Sequence, residues 1–209
     1  MKKLISSSIK NLLFDLGGVI INIEPIRVAK QFSVLSGKDL SFIRQQIEER
    51  RVFHNYEIGK WSDAEFRNSI NHMLELSLTD QQIDDIWNSM LLDIPKERID
   101  LLLSLRKQYN LYLLSNTNQI HINAVNAILH QTCGVPVLED LFDKTYYSHL
   151  IHLYKPAADC YTYVLQDSTL LPEETLFIDD NEDNIRGAKQ LGIQTVHLQS
   201  PATILDIFQ

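Results

Sequence analysis

The apolar run Leu12-Leu13-Phe14 ends on a carboxylate, Asp15, and Leu16 then leads into two glycines, Gly17 and Gly18. Unbroken apolar residues fit a strand buried on both faces, and paired glycines fit a backbone that must bend sharply. A chain with this pattern delivers one acid to the edge of a sheet. Two residues past that acid stands Gly17, with no side chain to assist it. Val19-Ile20-Ile21-Asn22-Ile23 then reads as a short extended excursion near the strand end.

From about residue 24 to 92 the periodicity is helical. Pro25 suits a first helical turn, Val28, Phe32 and Leu35 follow at helical spacing, and Gly37 ends the helix. Leu40, Ile43 and Ile47 mark a second helix. Ser62-Asp63-Ala64-Glu65 is a capping-box pattern ahead of Phe66, Ile70 and Met73. Thr79-Asp80-Gln81-Gln82 repeats that signal ahead of Ile83, Ile86, Trp87 and Met90. These amount to four amphipathic helices with short links, a small bundle.

Beyond about residue 94 strands and helices alternate. Pro95 opens a helix through Leu105, Leu111 to Ser115 is a strand, and Gln119 to Leu129 a helix. Lys144 to Tyr147 is a weaker strand, Pro156 to Leu165 a helix, and Thr175 to Asp179 a strong strand. Asp183 to Leu191 is a helix ended by Gly192, and Gln194 to Leu198 a last strand. This alternation predicts an α/β fold with a Rossmann-like, doubly wound parallel sheet as its core. The four-helix bundle is then a cap inserted after the first strand. Residues 1–22 and 93–209 form the core, and 23–92 the cap.

At 209 residues the chain suits one domain with an insertion. Its net charge of −8 argues against a nucleic-acid partner, whose phosphates it would repel. No run approaches the roughly 20 apolar residues that span a bilayer. The start, Met1-Lys2-Lys3-Leu4-Ile5-Ser6, is charged but lacks the apolar stretch of a signal peptide. Two cysteines, Cys133 and Cys160, form neither a disulfide framework nor a zinc pattern, and buried free thiols fit a reducing compartment. The expectation is a cytoplasmic protein, a monomer or a small homo-oligomer.

Ligands of parallel sheets gather outside the carboxyl ends of the strands. The residues found there are Asp15, then Ser115-Asn116-Thr117-Asn118, Tyr154-Lys155-Pro156 and Asp179-Asp180-Asn181. Singly, each has an ordinary reading as a turn, a helix cap or a solvated lysine. In combination they describe a phosphate site. Ser115 at a helix start offers N–H and hydroxyl donors, and Lys155 adds a positive charge. Asp15 with Asp179 or Asp180 offers the hard oxygen ligands that suit Mg²⁺.

These motifs, in this order, resemble the haloacid dehalogenase superfamily on its phosphatase side. They are Phe14-Asp15-Leu16-Gly17-Gly18-Val19, Leu113-Leu114-Ser115-Asn116-Thr117, Lys155-Pro156, and Phe177-Ile178-Asp179-Asp180-Asn181-Glu182-Asp183-Asn184 trailing into Gly187-Ala188 and Leu191-Gly192. The helical insertion resembles that family's first class of cap. Asp15-Leu16-Gly17-Gly18 and Ser115-Asn116-Thr117-Asn118 resemble a bacterial subgroup that includes sugar-phosphate phosphatases such as glucose-1-phosphatases. The resemblance implies a Mg²⁺-dependent phosphatase acting on a small phosphorylated metabolite through an aspartyl-phosphate. Asp15 would be the nucleophile, Ser115 and the Asn116 amide would hold phosphoryl oxygens, and Lys155 would neutralise charge. Asp15, Asp180, the Gly17 carbonyl and Asp179, directly or from behind, would hold the metal.

Three positions depart from the family's pattern. Its phosphatases usually carry an acid where this chain has Gly17, its fourth motif usually has Asp where this chain has Asn184 after Asp183, and glycine is frequent where His152 stands. General acid catalysis is worth about 10²–10⁴-fold, so its loss slows alkyl phosphates without abolishing turnover. Three outcomes follow: a substrate with a good leaving group, a substitute acid from the cap, or a weakly active or non-catalytic phosphometabolite-binding protein. Phe53-His54-Asn55-Tyr56-Glu57, in a polar break between cap helices, supplies the candidates His54, Tyr56 and Glu57. Trp61 and Trp87 read as cap packing.

Overall fold

The computed structural model describes residues 6–208. The Met1-Lys2-Lys3-Leu4-Ile5 start and Gln209 lie outside the described residues. The strands are β1 (Asn11–Phe14), β2 (Asn110–Ser115), β3 (Lys144–Tyr147), β4 (Thr175–Asp179) and β5 (Gln194–His197). They form one parallel sheet in the order β3-β2-β1-β4-β5. The chain leaves β1 in one direction for β2 and β3, then crosses to the other side for β4 and β5. The topological switch point therefore falls at the carboxyl end of β1, where Asp15 stands.

Side-chain alternation along the strands builds two cores. Leu12, Phe14, Leu111, Leu113, Leu176 and Ile178 face one way. They meet Ile99 and Leu102 of α6 (Lys96–Leu105), Val125 and Leu129 of α7 (Gln119–Cys133), and Ile204 of α11 (Ile204–Ile207). Leu13, Tyr112, Leu114, Tyr146 and Phe177 face the other way. They meet Tyr161 and Val164 of α9 (Ala158–Asp167) and Ile185 and Ala188 of α10 (Glu182–Gln190). Each such buried side chain contributes about 1.5–3 kcal/mol of transfer free energy. A short α8 (Ser148–Ile151) follows β3 and has no counterpart in the sequence-based expectation.

Between β1 and α6 lie five helices rather than four: α1 (Ile26–Ser36), α2 (Leu40–Glu49), α3 (Val52–Glu57), α4 (Asp63–Leu74) and α5 (Asp80–Asn88). The additional one, α3, covers the stretch expected as a polar break. Its six residues are too short for a periodic signal, although Val52 and Tyr56 are buried one turn apart. Arg51 precedes it at φ 49 without a side-chain cap, so no start signal is written there. The five helices share a core of Val28, Phe32, Ile43, Phe66, Ile70 and Trp87, which Ile120 of α7 also enters. Both capping boxes form, Ser62 with Glu65 and Thr79 with Gln82.

Several local expectations are corrected. Leu35 is half exposed, and Ala29 takes the inward position on α1. Pro25 is the residue before α1, not within its first turn. Val19 and Ile20 lie in a tight turn in which Ile20 N and Ile21 N donate to Leu16 O, and Gly18 N to Ile21 O at 2.8 Å. Only Ile21 and Ile23 keep bridge pairings. Cys160 is buried and Cys133 only partly so, both free.

Candidate active site

Parallel pairing sets the site's level. Phe14 is in register with Leu113 and Ile178, and Asp15 N donates to Ile178 O at 2.9 Å. Asp15 thus stands beside Asp179, the last residue of β4, with Ser115 at the end of β2 on its other side. Ser115 is buried as a strand residue, not as a helix cap. Helix α7 starts only at Gln119, capped by Asn118, whose side chain accepts from His121 N at 3.0 Å.

Lys155 joins the two acids. Its Nζ donates to Asp15 Oδ1 at 2.6 Å and to Asp179 Oδ2 at 2.8 Å, with the lysine side chain 1% exposed. It also sits over the Phe177 ring. The lysine is delivered by its backbone. Lys155 N donates to Asn116 Oδ1, and Asn116 Nδ2 donates to Lys155 O, each at 2.9 Å. A buried ammonium is costly to desolvate and is kept charged only by close partners. Burial would lower its pKa, but Asp15 and Asp179 outweigh that and hold it above the usual lysine range.

Asp179 is fully buried and saturated with donors. Besides Lys155, it receives Asn181 N at 2.8 Å and Asn184 Nδ2 at 3.1 and 3.0 Å. Asn184 is therefore a clamp on Asp179, a role that its neighbour Asp183 does not share: Asp183 faces out and pairs with Arg186. Asp180 packs against Gly18 on one side and opens to solvent on the other. A Cβ on Gly18 would lie 2.2 Å from Asp180 Oδ2, and Gly18 has φ +72, so only glycine fits there. Gly17, by contrast, has no such backbone demand. A Cβ on it would meet the Ile23 side chain, with Cδ1 nearest at 3.0 Å.

Carboxylate oxygens of Asp15, Asp179 and Asp180 come within 4.8 Å of one another. Three acids against one lysine leave surplus negative charge in a small space. Burial, opposed by Lys155 and reinforced by Asp179, raises Asp15 to about 7. Packing and Asp179 likewise hold Asp180 above its usual range. Hard oxygen donors with excess negative charge are what a small divalent cation requires.

The helical layer reaches this edge through α3. Tyr154, next to Lys155, donates its hydroxyl to Glu57 Oε2 at 3.0 Å. Ser148 Oγ donates to Glu57 O at 2.5 Å, and His152 Nδ1 lies 2.9 Å from Ile58 O. His152 adopts φ 59, a left-handed conformation that suits glycine best, and its ring contacts the Ile58 carbonyl. His54 lies edge-on to Tyr154, whereas Tyr56 is buried, donates to Asp63 and stacks on Phe66. Tyr56 therefore points away from the chemistry. Trp87 is buried and Trp61 partly so, both packed in the helical core. Sequence reasoning did not single out Ser148, or Tyr154 as a polar bridge. Their only local signal is adjacency to β3 and to Lys155.

Residues 9–192 match the family model of haloacid dehalogenase-like hydrolases, and the chain belongs to that family; it is a hydrolase. Its relatives include a D-ribitol-5-phosphate phosphatase of Bacteroides thetaiotaomicron, 33% identical over 194 residues, covering 93% of this chain and 94% of the relative. A haloacid-dehalogenase-family enzyme of the same organism, solved with magnesium and inorganic phosphate, superposes with a TM-score of 0.85 at 40% identity, covering 96% of this chain and all of that one. A HAD-like hydrolase of Porphyromonas gingivalis gives 0.82 at 34% identity, over 91% of each chain. No helix among the described residues is long and apolar enough to cross a membrane.

Proposed function

We propose that this hydrolase is a Mg²⁺-dependent phosphatase of a small phosphorylated metabolite, a sugar or sugar-alcohol phosphate, working through an aspartyl-phosphate on Asp15. The observation that carries this reading is Lys155, buried between Asp15 and Asp179, with Asp180 alongside. A protein that only bound phosphate would gain nothing from a buried carboxylate at the switch point, since an anion repels an anion. The relative that acts on ribitol 5-phosphate supports the substrate class.

In this mechanism Lys155 orients Asp15 by Oδ1 and leaves Oδ2 for attack on phosphorus. The alcohol departs, and water then cleaves the acyl phosphate. Ser115 and the Asn116 N–H receive phosphoryl oxygens. Asp15, Asp180, the Gly17 carbonyl and, directly or from behind, Asp179 hold the metal. When bound, Mg²⁺ offsets the charge of nucleophile and phosphoryl group as they approach. Asn184 keeps Asp179 turned toward Lys155. Residues 1–22 and 93–209 serve as catalytic core and 23–92 as a substrate-facing cap, in a cytoplasmic monomer or small homo-oligomer.

Purified protein with Mg²⁺ should hydrolyse 4-nitrophenyl phosphate and a pentitol or hexose phosphate. Chelator should abolish this, and Asp15→Asn should lower it by at least about 10³-fold. Undiminished turnover in Asp15→Asn overturns the mechanism. Tight phosphate-ester binding without turnover across a broad panel would instead identify a binding protein.

A further inference from the structure

Cleaving an alkyl phosphate leaves an alkoxide, a strong base that needs a proton as the P–O bond breaks. The groups around Asp15 are otherwise committed. Lys155 is spent on two carboxylates, and Asp179 on Lys155, Asn181 and Asn184. Asp180 belongs to the acid cluster, and position 17 is glycine. The next ionisable group along the connected chain of residues is Glu57. Its carboxyl is held by Tyr154, the residue beside Lys155, whose backbone Asn116 grips in turn. Its backbone is pinned by Ser148, and the next residue's carbonyl by His152. Three contacts from the sheet side thus fix the last turn of α3 against the loop that carries Lys155.

We propose that Glu57, positioned by Tyr154, is the proton donor to the leaving oxygen of the substrate, an inference that rests on the phosphatase reading above. Tyr154 occupies Oε2, leaving Oε1 to carry the proton. Asp15 forms its bond to phosphorus as the bond from phosphorus to the alkyl oxygen breaks. The bonding pair stays on that oxygen, which takes the Glu57 proton and leaves as alcohol. The Glu57 carboxylate then accepts a proton from the water that attacks phosphorus. Inorganic phosphate departs, and both Asp15 and protonated Glu57 are restored.

Burial pushes the Glu57 carboxyl up to about 7, against a lowering hydrogen bond from Tyr154, so protonated acid is present near neutrality. The titratable groups around it are Tyr154, His149 and His152 from the sheet side, His54 and Lys60 on its own segment, and Asp63, which is taken by Tyr56.

The test is kcat/KM for wild type, Glu57→Gln and Tyr154→Phe with Mg²⁺, on an aryl and an alkyl phosphate. 4-Nitrophenolate leaves without a proton, whereas a pentitol 5-phosphate does not. In Glu57→Gln the alkyl value should fall about 10²–10³-fold, at least ten-fold more than the aryl value. The wild-type alkyl profile should decline above pH about 7, and Glu57→Gln should lack that limb. Tyr154→Phe, which removes a bond that lowers the Glu57 pKa, should move the limb to higher pH. Equal losses on both substrates, no loss on either, or an unchanged alkaline limb overturn the proposal while the aryl activity keeps the phosphatase reading standing. A wild type inert toward both overturns the phosphatase reading, and the proposal with it.

Discussion

Asn184 stands where a carboxylate would be the expected side chain, and its amide makes a contact a carboxylate could not. Both of its bonds to Asp179 are donated from Nδ2. A third acid against Asp179 would add repulsion, whereas an amide adds restraint. Groups that orient metal-site carboxylates typically change affinity or activity about 10–100-fold when removed. Asn184→Ala should therefore weaken the apparent Mg²⁺ affinity by about that factor while Asp15 and Lys155 remain in place. A Mg²⁺ titration of 4-nitrophenyl phosphate turnover measures it, and an unchanged midpoint would remove Asn184 from the site. Gly18 is the complementary case, where absence of a side chain makes room for Asp180. Gly187 does the same in α10, letting the Pro156 carbonyl approach closely beside Lys155.

The helices between β1 and β2 differ in how openly they are written in the chain. α4 and α5 carry complete start signals, each with a side chain bonded to the backbone N–H three residues on and a reciprocal bond from that residue. Losing such a cap costs about 1 kcal/mol. Ser62→Ala should lower the melting temperature by about 2–4 °C and leave aryl phosphate turnover unchanged, as scanning calorimetry and a standard assay would show. A larger fall would mean that α4 depends on Ser62 for more than its first turn. α3 has none of these signals. It exists because Val52 and Tyr56 drop into the core shared with Phe66 and Trp87, and because the sheet side grips its end. A segment this short is not stable by propensity and takes its conformation from its contacts. That is why the residues named as candidate acids could be read from the sequence, but not which of them Tyr154 would hold.

Where the helical layer meets the sheet, His121 is buried, stacked on Trp87 at 4.5 Å and bonded through Nδ1 to Asn88 at 2.9 Å. Trp87 Nε1 donates to Asn118 at the start of the same helix. Burial lowers the His121 pKa to about 3. The unfolded chain, with an ordinary histidine near 6.5, binds this proton more readily than the folded one between those values. Stability from this residue is complete above pH about 6.5 and declines as pH falls toward 3. Glu57 acts in the opposite sense. Its raised pKa makes the folded state the better proton binder between 4.5 and about 7, so its contribution improves as pH falls through that window. Wild-type stability alone would mix the two. The stability difference between wild type and His121→Gln should shift by about 2 kcal/mol in the variant's favour between pH 7.5 and 5, measured by urea unfolding at each pH. A constant difference would mean that His121 takes up its proton as readily in the fold as in the unfolded chain.

All five strands and the longer helices around the sheet are legible in the chain, because periodicity, caps and glycine breaks act over a few residues; the four-residue α8 and α11 are too short to leave such a pattern. So is the arrival of Asp15, Ser115, Lys155 and Asp179 at one edge, since parallel strands must all end on the same side. The contacts that make those residues a site are of another kind. Lys155 bonds an acid 140 residues before it and another 24 residues after it. Asn116 grips a backbone 39 residues away, and Tyr154 reaches Glu57 across 97. Such pairs depend on how helices are set against the sheet, which is decided by packing between elements and leaves no local pattern. Asp15 could be recognised from its own neighbours. Gly17 could be read there too, as a position without a side chain; that Glu57 stands tied to the lysine loop was decided only by the packing of the helical layer onto the strand ends.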